Sequence, residues 1–238
     1  MLPIVYVNLA RDADRRERLE AEFDRHGIVA QRFDATLWTA LPEQEQVKLY
    51  SPTLNQRQFH KPLVNGEKGC YASHLRTWQW LLDSEAAALV VLEDDIALQP
   101  DFGRVIEAIE ALPPGWDMIK LIGRDKERPL RRRALVQGTE LIDYRRVPSL
   151  TAGYVVSRSG AAKLVATRIP FGRPIDVDLR HWWENGLKIH GVLPAAIRLD
   201  ETSFQSSIGT KAAETRLLTR WRKFINKANY GWQNLRHR

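Results

Sequence analysis

Ala86-Ala87-Ala88-Leu89-Val90-Val91-Leu92-Glu93-Asp94-Asp95 is the stretch from which the fold is read. Seven apolar residues run unbroken into three carboxylates. A short continuous apolar run marks a strand buried on both faces, as at the middle of an α/β sheet. The acids cannot follow it into the core, because unpaired buried charge is too costly. They are expected at the rim, at the carboxyl end of a central strand, where open α/β sheets bind ligands. Adjacent carboxylates repel unless something positive sits among them, and a hard divalent cation with oxygen ligands meets that need. A solvated acidic turn leading into a helix is the other reading of the same spacing.

Upstream, Ile4 to Val7 is apolar and reads as a first strand. A helix follows from Asp12 or Asp14, with Leu19 and Phe23 four apart on one face and Gly27 ending it. Ile28 to Phe33 reads as a second strand, which makes a β-α-β opening with a right-handed crossover. The turn after the first strand has no glycine, so no dinucleotide fingerprint is present, and the chain has no phosphate-binding P-loop. Asn8, Arg11, Arg15 and Arg16 cluster there instead. Arginines at a helix start oppose the macrodipole, which points to an anionic or nucleotide ligand or to a solvated surface.

Residues 34–66 show little periodicity, and one short helix is expected near Pro42 to Tyr50. The segment from Asn65 opens a helix with Tyr71, Leu75, Trp78 and Leu82 as its apolar stripe and His74 one step off it. Beyond the acids, Pro100-Asp101 starts a helix whose Val105, Ile106, Ile109 and Leu112 point inward, and Pro113-Pro114-Gly115 stops it. Trp116 to Ile122 reads as a strand. Residues 123–148 are basic around Arg131-Arg132-Arg133 and read as a loop, either solvated or lying over an anionic substrate. Leu150 to Ser157 reads as a strand, with Ser157 capping a helix over Arg158 to Thr167. In Ile175-Asp176-Val177-Asp178-Leu179 the two acids are one residue apart. An extended backbone turns both to one side, so both can line a site; each can also cap the helix running through Trp182 and Trp183. Leu187 to Leu193 is expected as the last main strand.

The 238 residues, 44% of them hydrophobic, make one large domain, or a domain with an appendage, and allow a sizeable core. No apolar run of membrane-spanning length occurs. The N-terminus lacks the basic and small-residue features of a signal peptide. A single cysteine, Cys70, excludes an intramolecular disulfide and a Cys-rich zinc site and fits a reducing cytosol. The net charge of +7 is uneven: the last 28 residues hold eight Lys and Arg against Glu214, so residues 1–210 are neutral on balance. That argues against a nucleic-acid groove across the fold and for a localised anionic partner. From Lys211 the tail is amphipathic, with Leu217, Leu218, Trp221, Phe224, Ile225 and Ala228 on one helical face. Such a helix either lies on an anionic membrane surface or covers the core with its basic side in water.

Three blocks in this order resemble glycosyltransferase family 25, the lipooligosaccharide-biosynthesis glycosyltransferases. They are Ile4-Val5-Tyr6-Val7-Asn8-Leu9 through Arg15-Arg16, Gly66-Glu67-Lys68-Gly69-Cys70-Tyr71-Ala72-Ser73-His74-Leu75, and Leu92-Glu93-Asp94-Asp95-Ile96 followed by Pro100-Asp101-Phe102. Ala152-Gly153-Tyr154 and Pro174-Ile175-Asp176 add support. The resemblance covers roughly residues 1–200 and implies an α/β fold of GT-A type, Rossmann-like, with a mostly parallel sheet flanked by helices; the transferase domain is expected over residues 1–210, and the basic amphipathic tail at 211–238 lies outside the resemblance. The resemblance also implies an inverting transfer of a sugar, often galactose from UDP-galactose, onto a lipooligosaccharide- or lipopolysaccharide-type acceptor. In that scheme Glu93 and Asp95 hold Mn2+ or Mg2+ on the diphosphate, with Asp95 first. The order Glu-Asp-Asp departs from the Asp-x-Asp of many such enzymes. Asn8, Arg11, Arg15, Glu67, His74 and Asp94 are expected to hold the nucleotide-sugar. Asp176 and Asp178 are the candidate bases, with Glu93 beside them in the catalytic set. A cytosolic chain with this tail fits the inner face of the cell membrane. Two other classes share the features: a metal-dependent phosphohydrolase using the same acids, and a non-catalytic membrane-surface binder.

Overall fold

The computed structural model describes residues 1–123, 127–200 and 217–237. Its centre is β3 (Ala88–Glu93), whose first five residues are all buried. Leu89 and Val91 pack on one side of the sheet, and Val90 and Leu92 on the other. Burial of each such side chain stabilises by roughly 1.5–3 kcal/mol before the entropy of ordering it is set against that. β1 (Ile4–Asn8) lies between β3 and β2 (Gln31–Asp34), parallel to both. The connecting helix α1 (Ala13–His26) buries Leu19 and Phe23 and ends at Gly27, whose φ of 64° suits its left-handed cap.

The segment between β2 and the next long helix is more ordered than its sequence suggested. It holds a 3-10 turn at Trp38–Ala40, α2 (Glu43–Leu49) and α3 (Pro52–Gln58). Pro52 takes the first helical position, and Ser51 Oγ accepts from Leu54 N at 3.1 Å. The helix α4 (Asn65–Asp83) follows and buries Tyr71, Leu75, Trp78 and Leu81 against the sheet.

After β3 come β4 (Ile96–Leu98), α5 (Phe102–Glu110) and β5 (Met118–Lys120). The basic segment expected as a loop is a hairpin of β6 (Pro129–Val136) and β7 (Thr139–Tyr144). β6 is the sheet's edge, and its cross-strand pairs Arg132–Glu140 (2.9 Å) and Arg133–Asp143 (3.1 Å) are charged. Charge on an edge strand blocks pairing with other chains. Then follow β8 (Gly153–Ser157), α6 (Arg158–Thr167), α7 (Ile175–Asp178), β9 (Ile189–Leu193) and β10 (Ile197–Leu199). β10 pairs with β4 in a small second sheet.

The main sheet has the order β2-β1-β3-β8-β5-β9-β7-β6. The pairings run β8 and β7 against the other strands. This is the expected α/β architecture, a mostly parallel sheet between helical layers. One face carries α1 and α5, and the other carries α4, α6 and α7. A last helix, α8 (Leu217–Arg236), lies on the α7 side, where Asn234 Nδ2 donates to Arg145 O at 3.1 Å. Residues 211–216 of the expected tail helix lie outside the described residues.

Candidate functional site

The carboxyl ends of β1 and β3 open into a cleft of about 390 Å³. Its walls come from four places: the β1–α1 turn, the segment from Ala35 to Thr39, the start of α4, and Glu93-Asp94-Asp95. The walls are close because α4 begins with glycines. A Cβ on Gly69 would lie 2.5 Å from Thr36 O, so only glycine lets the helix approach. Ser73 Oγ accepts from Thr36 N at 2.8 Å and ties the same two walls together.

The three acids of the opening stretch do different things. Asp94 is clamped. Asn8 Nδ2 donates to Asp94 Oδ2 and Arg15 to Asp94 Oδ1, both at 2.7 Å, while Arg18 donates to Asp94 O at 2.9 Å. Asn8 is itself buried and accepts from Arg32 Nε at 3.1 Å. Asn8 and Arg15 were expected to grip a nucleotide; their hydrogen bonds hold Asp94. The unfavourable arginines at the start of α1 are thus answered in part by a carboxylate of the protein. Arg11 remains exposed on the cleft wall.

Glu93 and Asp95 are held more loosely, Arg15 reaching Asp95 Oδ2 only at 3.9 Å. Glu93 Oε1 and Asp95 Oδ1 are buried and make no hydrogen bond, and so is His74 Nε2. His74 Nε2 faces Glu93 Oε1 at 3.6 Å, too far for a hydrogen bond. Burial first, and Glu93 second, push the Asp95 carboxyl up to about 6. Burial raises Glu93 too, but His74 and the Thr151 hydroxyl outweigh it, and its net shift is downward. His74 is set from behind by Tyr154 OH, 2.7 Å from Nδ1, which also accepts from Trp78 Nε1 at 2.8 Å. With the proton on Nδ1, donated to Tyr154, the Nε2 lone pair is left facing the cleft. Cys70, His74 and Glu93 bring donor atoms within 4.8 Å of one another. Burial first, and then Glu93 and Asp176, raise the Cys70 thiol well above its ordinary range, which keeps it protonated.

These groups suit a divalent cation. Two carboxylate oxygens and an imidazole nitrogen, all buried and none hydrogen-bonded, are a costly arrangement on their own. His74 and Glu93 are the residues whose oxygen and nitrogen donors lie close enough to share the ion, with Asp95 on the same cleft wall. Oxygen and imidazole donors accept Mn2+, and oxygen donors Mg2+.

The two candidate bases separate. Ile175–Asp178 is the short helix α7 rather than an extended segment, because Pro174 sets its N-cap. Asp178 is buried and saturated. Tyr71 OH donates to its Oδ2, Arg173 to Oδ1 at 2.8 Å, and Arg168 Nε lies 3.4 Å from Oδ2. Its oxygens are taken up by Tyr71, Arg173 and Arg168. Asp176 is half-buried on the same turn, and burial above all raises its carboxyl. The charges of Lys120 and Glu93 also act on it.

Glu67 stands at the start of α4. Its Oε2 accepts from Val64 N at 2.9 Å and its Oε1 pairs with Lys61 at 3.2 Å, so it caps α4. Lys120 was missed. It is fully buried at the end of β5, donates to Pro148 O at 2.7 Å, and is pushed down to about 7 by burial. A lysine inside the apolar run Met118 to Ile122 was the available signal.

Comparison with known proteins shows the family. The family described as "Glycosyltransferase family 25 (LPS biosynthesis protein)" matches residues 1–179. The chain belongs to glycosyltransferase family 25. A glycosyltransferase 25 family member of Drosophila melanogaster is 30% identical over 183 residues, covering 74% of this chain and 29% of the relative. Procollagen galactosyltransferase 2 of Mus musculus is 30% identical over 183 residues, with the same coverage of 74% and 29%. This family 25 chain therefore spans about 29% of the length of those curated relatives. A solved Drosophila galactosyltransferase 7 mutant, in complex with manganese, UDP-Gal and xylobiose, is similar at a TM-score of 0.43 and 8% identity. That similarity covers 92% of this chain and 80% of that one.

Proposed function

We propose that the chain is an inverting glycosyltransferase that moves galactose from UDP-galactose to a glycan acceptor of lipooligosaccharide or lipopolysaccharide type. One observation carries the reading: in a family 25 chain, the cleft at the ends of β1 and β3 gathers three buried polar atoms without hydrogen bonds, on His74, Glu93 and Asp95. The family's description as an LPS biosynthesis protein and the galactosyltransferase relatives support the acceptor and the sugar.

The donor would lie in the cleft, its base against the apolar wall from Val7 to Trp38 and its phosphates toward Arg11. Glu93 and His74, with Asp95 on the same cleft wall, would hold a divalent ion, and such an ion would supply charge neutralisation for a departing diphosphate. Asp94 acts through others: by fixing Asn8 and Arg15 it sets the rim on which Glu93 and Asp95 sit. Asp176 would take the proton from the acceptor hydroxyl as it attacks the anomeric carbon. Its raised carboxyl suits that work, since a base acts best with its pKa closer to working pH. Lys120, buried nearby, favours the ionised form of Asp176.

The test is a panel of nucleotide sugars incubated with Mn2+, with and without a truncated lipooligosaccharide acceptor. Product should appear with UDP-galactose and require the acceptor. Turnover of no sugar nucleotide, or release of phosphate from simple phosphomonoesters instead, would overturn the reading in favour of a phosphohydrolase.

A further inference from the structure

The helix α8 is docked by its polar side. Arg222 donates to Gln56 O and, at 2.9 Å, to Phe59 O. Tyr230 is buried beneath the Arg180 guanidinium, 4.1 Å from its ring centroid, and packs against His181 and Trp183. Asn234 is buried, donates to Arg145 O and accepts from Trp182 Nε1 at 3.4 Å. Spacings of eight and four residues put these three on one stripe. The opposite stripe holds Trp221, Phe224, Ile225, Trp232 and Leu235, all between 46% and 66% exposed. A helix whose role was to cover the core would show the reverse, since exposed apolar area is what burial removes.

Charge identifies what meets this stripe. Residues 215–238 hold seven Lys and Arg and no Asp or Glu. Lys227 lies on one flank, and Arg236 on the other, its guanidinium 5.4 Å from the Trp232 centroid. Two copies meeting through this face would set like charges against each other. Among the described residues no helix is long and apolar enough to cross a membrane, so α8 can meet lipid only by lying along it. Aromatic and aliphatic groups at acyl depth, with cations at headgroup depth, are the requirements of an interfacial helix.

We propose that the outward face of α8 seats the protein on an anionic lipid bilayer, with Trp221, Phe224, Ile225, Trp232 and Leu235 in the interface. The inference stands apart from the catalytic reading, because none of these residues touches the cleft.

The experiment is flotation of the full chain with vesicles of phosphatidylglycerol and phosphatidylcholine, compared with phosphatidylcholine alone. The second arm is the double variant Trp221→Ser and Phe224→Ser, checked for an unchanged melting temperature and circular dichroism. Wild type should float with the anionic vesicles, bind neutral ones at least about tenfold more weakly, and lose binding as salt rises. The variant should lose about tenfold or more in partitioning. Failure of wild type to float, or equal flotation of the variant, would overturn the proposal. So would a dimer in sedimentation that the variant abolishes while vesicles bind neither protein, since the face would then belong to a second copy.

Discussion

His74 Nε2 and Glu93 Oε1 face each other 3.6 Å apart, both buried and neither hydrogen-bonded. Nearby, Asp95 Oδ1 is in the same condition. Three buried polar atoms without hydrogen bonds at the end of a central strand are costly unless a ligand completes them. His74→Ala is therefore expected to weaken Mn2+ binding by roughly tenfold or more, read by titration of the ion. Unchanged affinity would remove His74 from the set.

Asp94 and Asp95 are neighbours with opposite roles. Burial raises the Asp94 carboxyl too, with Asn8 and Arg15 opposing it; because Asp94→Asn exchanges their two charge-assisted hydrogen bonds for weaker ones, it should cost about 1.5 kcal/mol of stability. Asp95→Asn should do the reverse. The fold disfavours the Asp95 charge, holding its carboxyl at about 6, so neutralising it should raise the melting temperature while transfer is lost. Urea denaturation of both variants beside an activity assay tests the split. Equal effects of the two substitutions on stability would contradict it.

The same contrast holds on α7. Asp178→Asn breaks a buried ion pair with Arg173 and the contact with Arg168, and should destabilise by about 3–5 kcal/mol. Asp176→Asn should leave the fold intact and lower kcat, by about a hundredfold or more for a general base. A stable Asp178→Asn protein, or full activity in Asp176→Asn, would contradict the assignment.

Acid should loosen the region that docks α8. Burial first and Arg173 second push His181 down from 6.5 to about 4. Its neutral form is the folded one, so its contribution is whole above pH 6.5 and is lost as pH falls towards 4. Burial acts to raise Glu184, but the hydrogen bond and charge of Arg173 outweigh it and carry the carboxyl from 4.5 to about 2. Its contribution is whole above pH 4.5 and fades towards 2. Urea midpoints should therefore fall with acid in two overlapping steps, and His181→Phe should flatten the upper one. A profile that is level from pH 6.5 to 4 in wild type would contradict the His181 assignment.

Much of this was legible in the residues themselves. β3 announced itself by an unbroken apolar run, and α1 and α4 by apolar spacing, because burial imposes those periods. β6 was not legible: most of its residues are exposed, so no apolar alternation exists to read. α7 has four residues, too few for any period. The amphipathic character of α8 was plain, but which side meets the body was not, since that depends on Gln56, Phe59 and Arg145 far away in sequence. The same limit hid the work of Asp94, whose partners Asn8 and Arg15 lie 86 and 79 residues upstream. Charge pattern located the acids at the site; only the fold divided them into a clamped residue and two open ones.

The central claim is that the cleft built on Glu93, Asp95 and His74 binds a nucleotide-sugar through a divalent ion. Calorimetric titration of UDP-galactose into the protein, with Mn2+ and with excess chelator, and again with Asp95→Asn, tests it most directly. The expected result is binding with Mn2+ that weakens by about tenfold or more both in chelator and in the variant. Binding that neither chelator nor Asp95→Asn changes, or no binding at all to wild type with Mn2+, would contradict it.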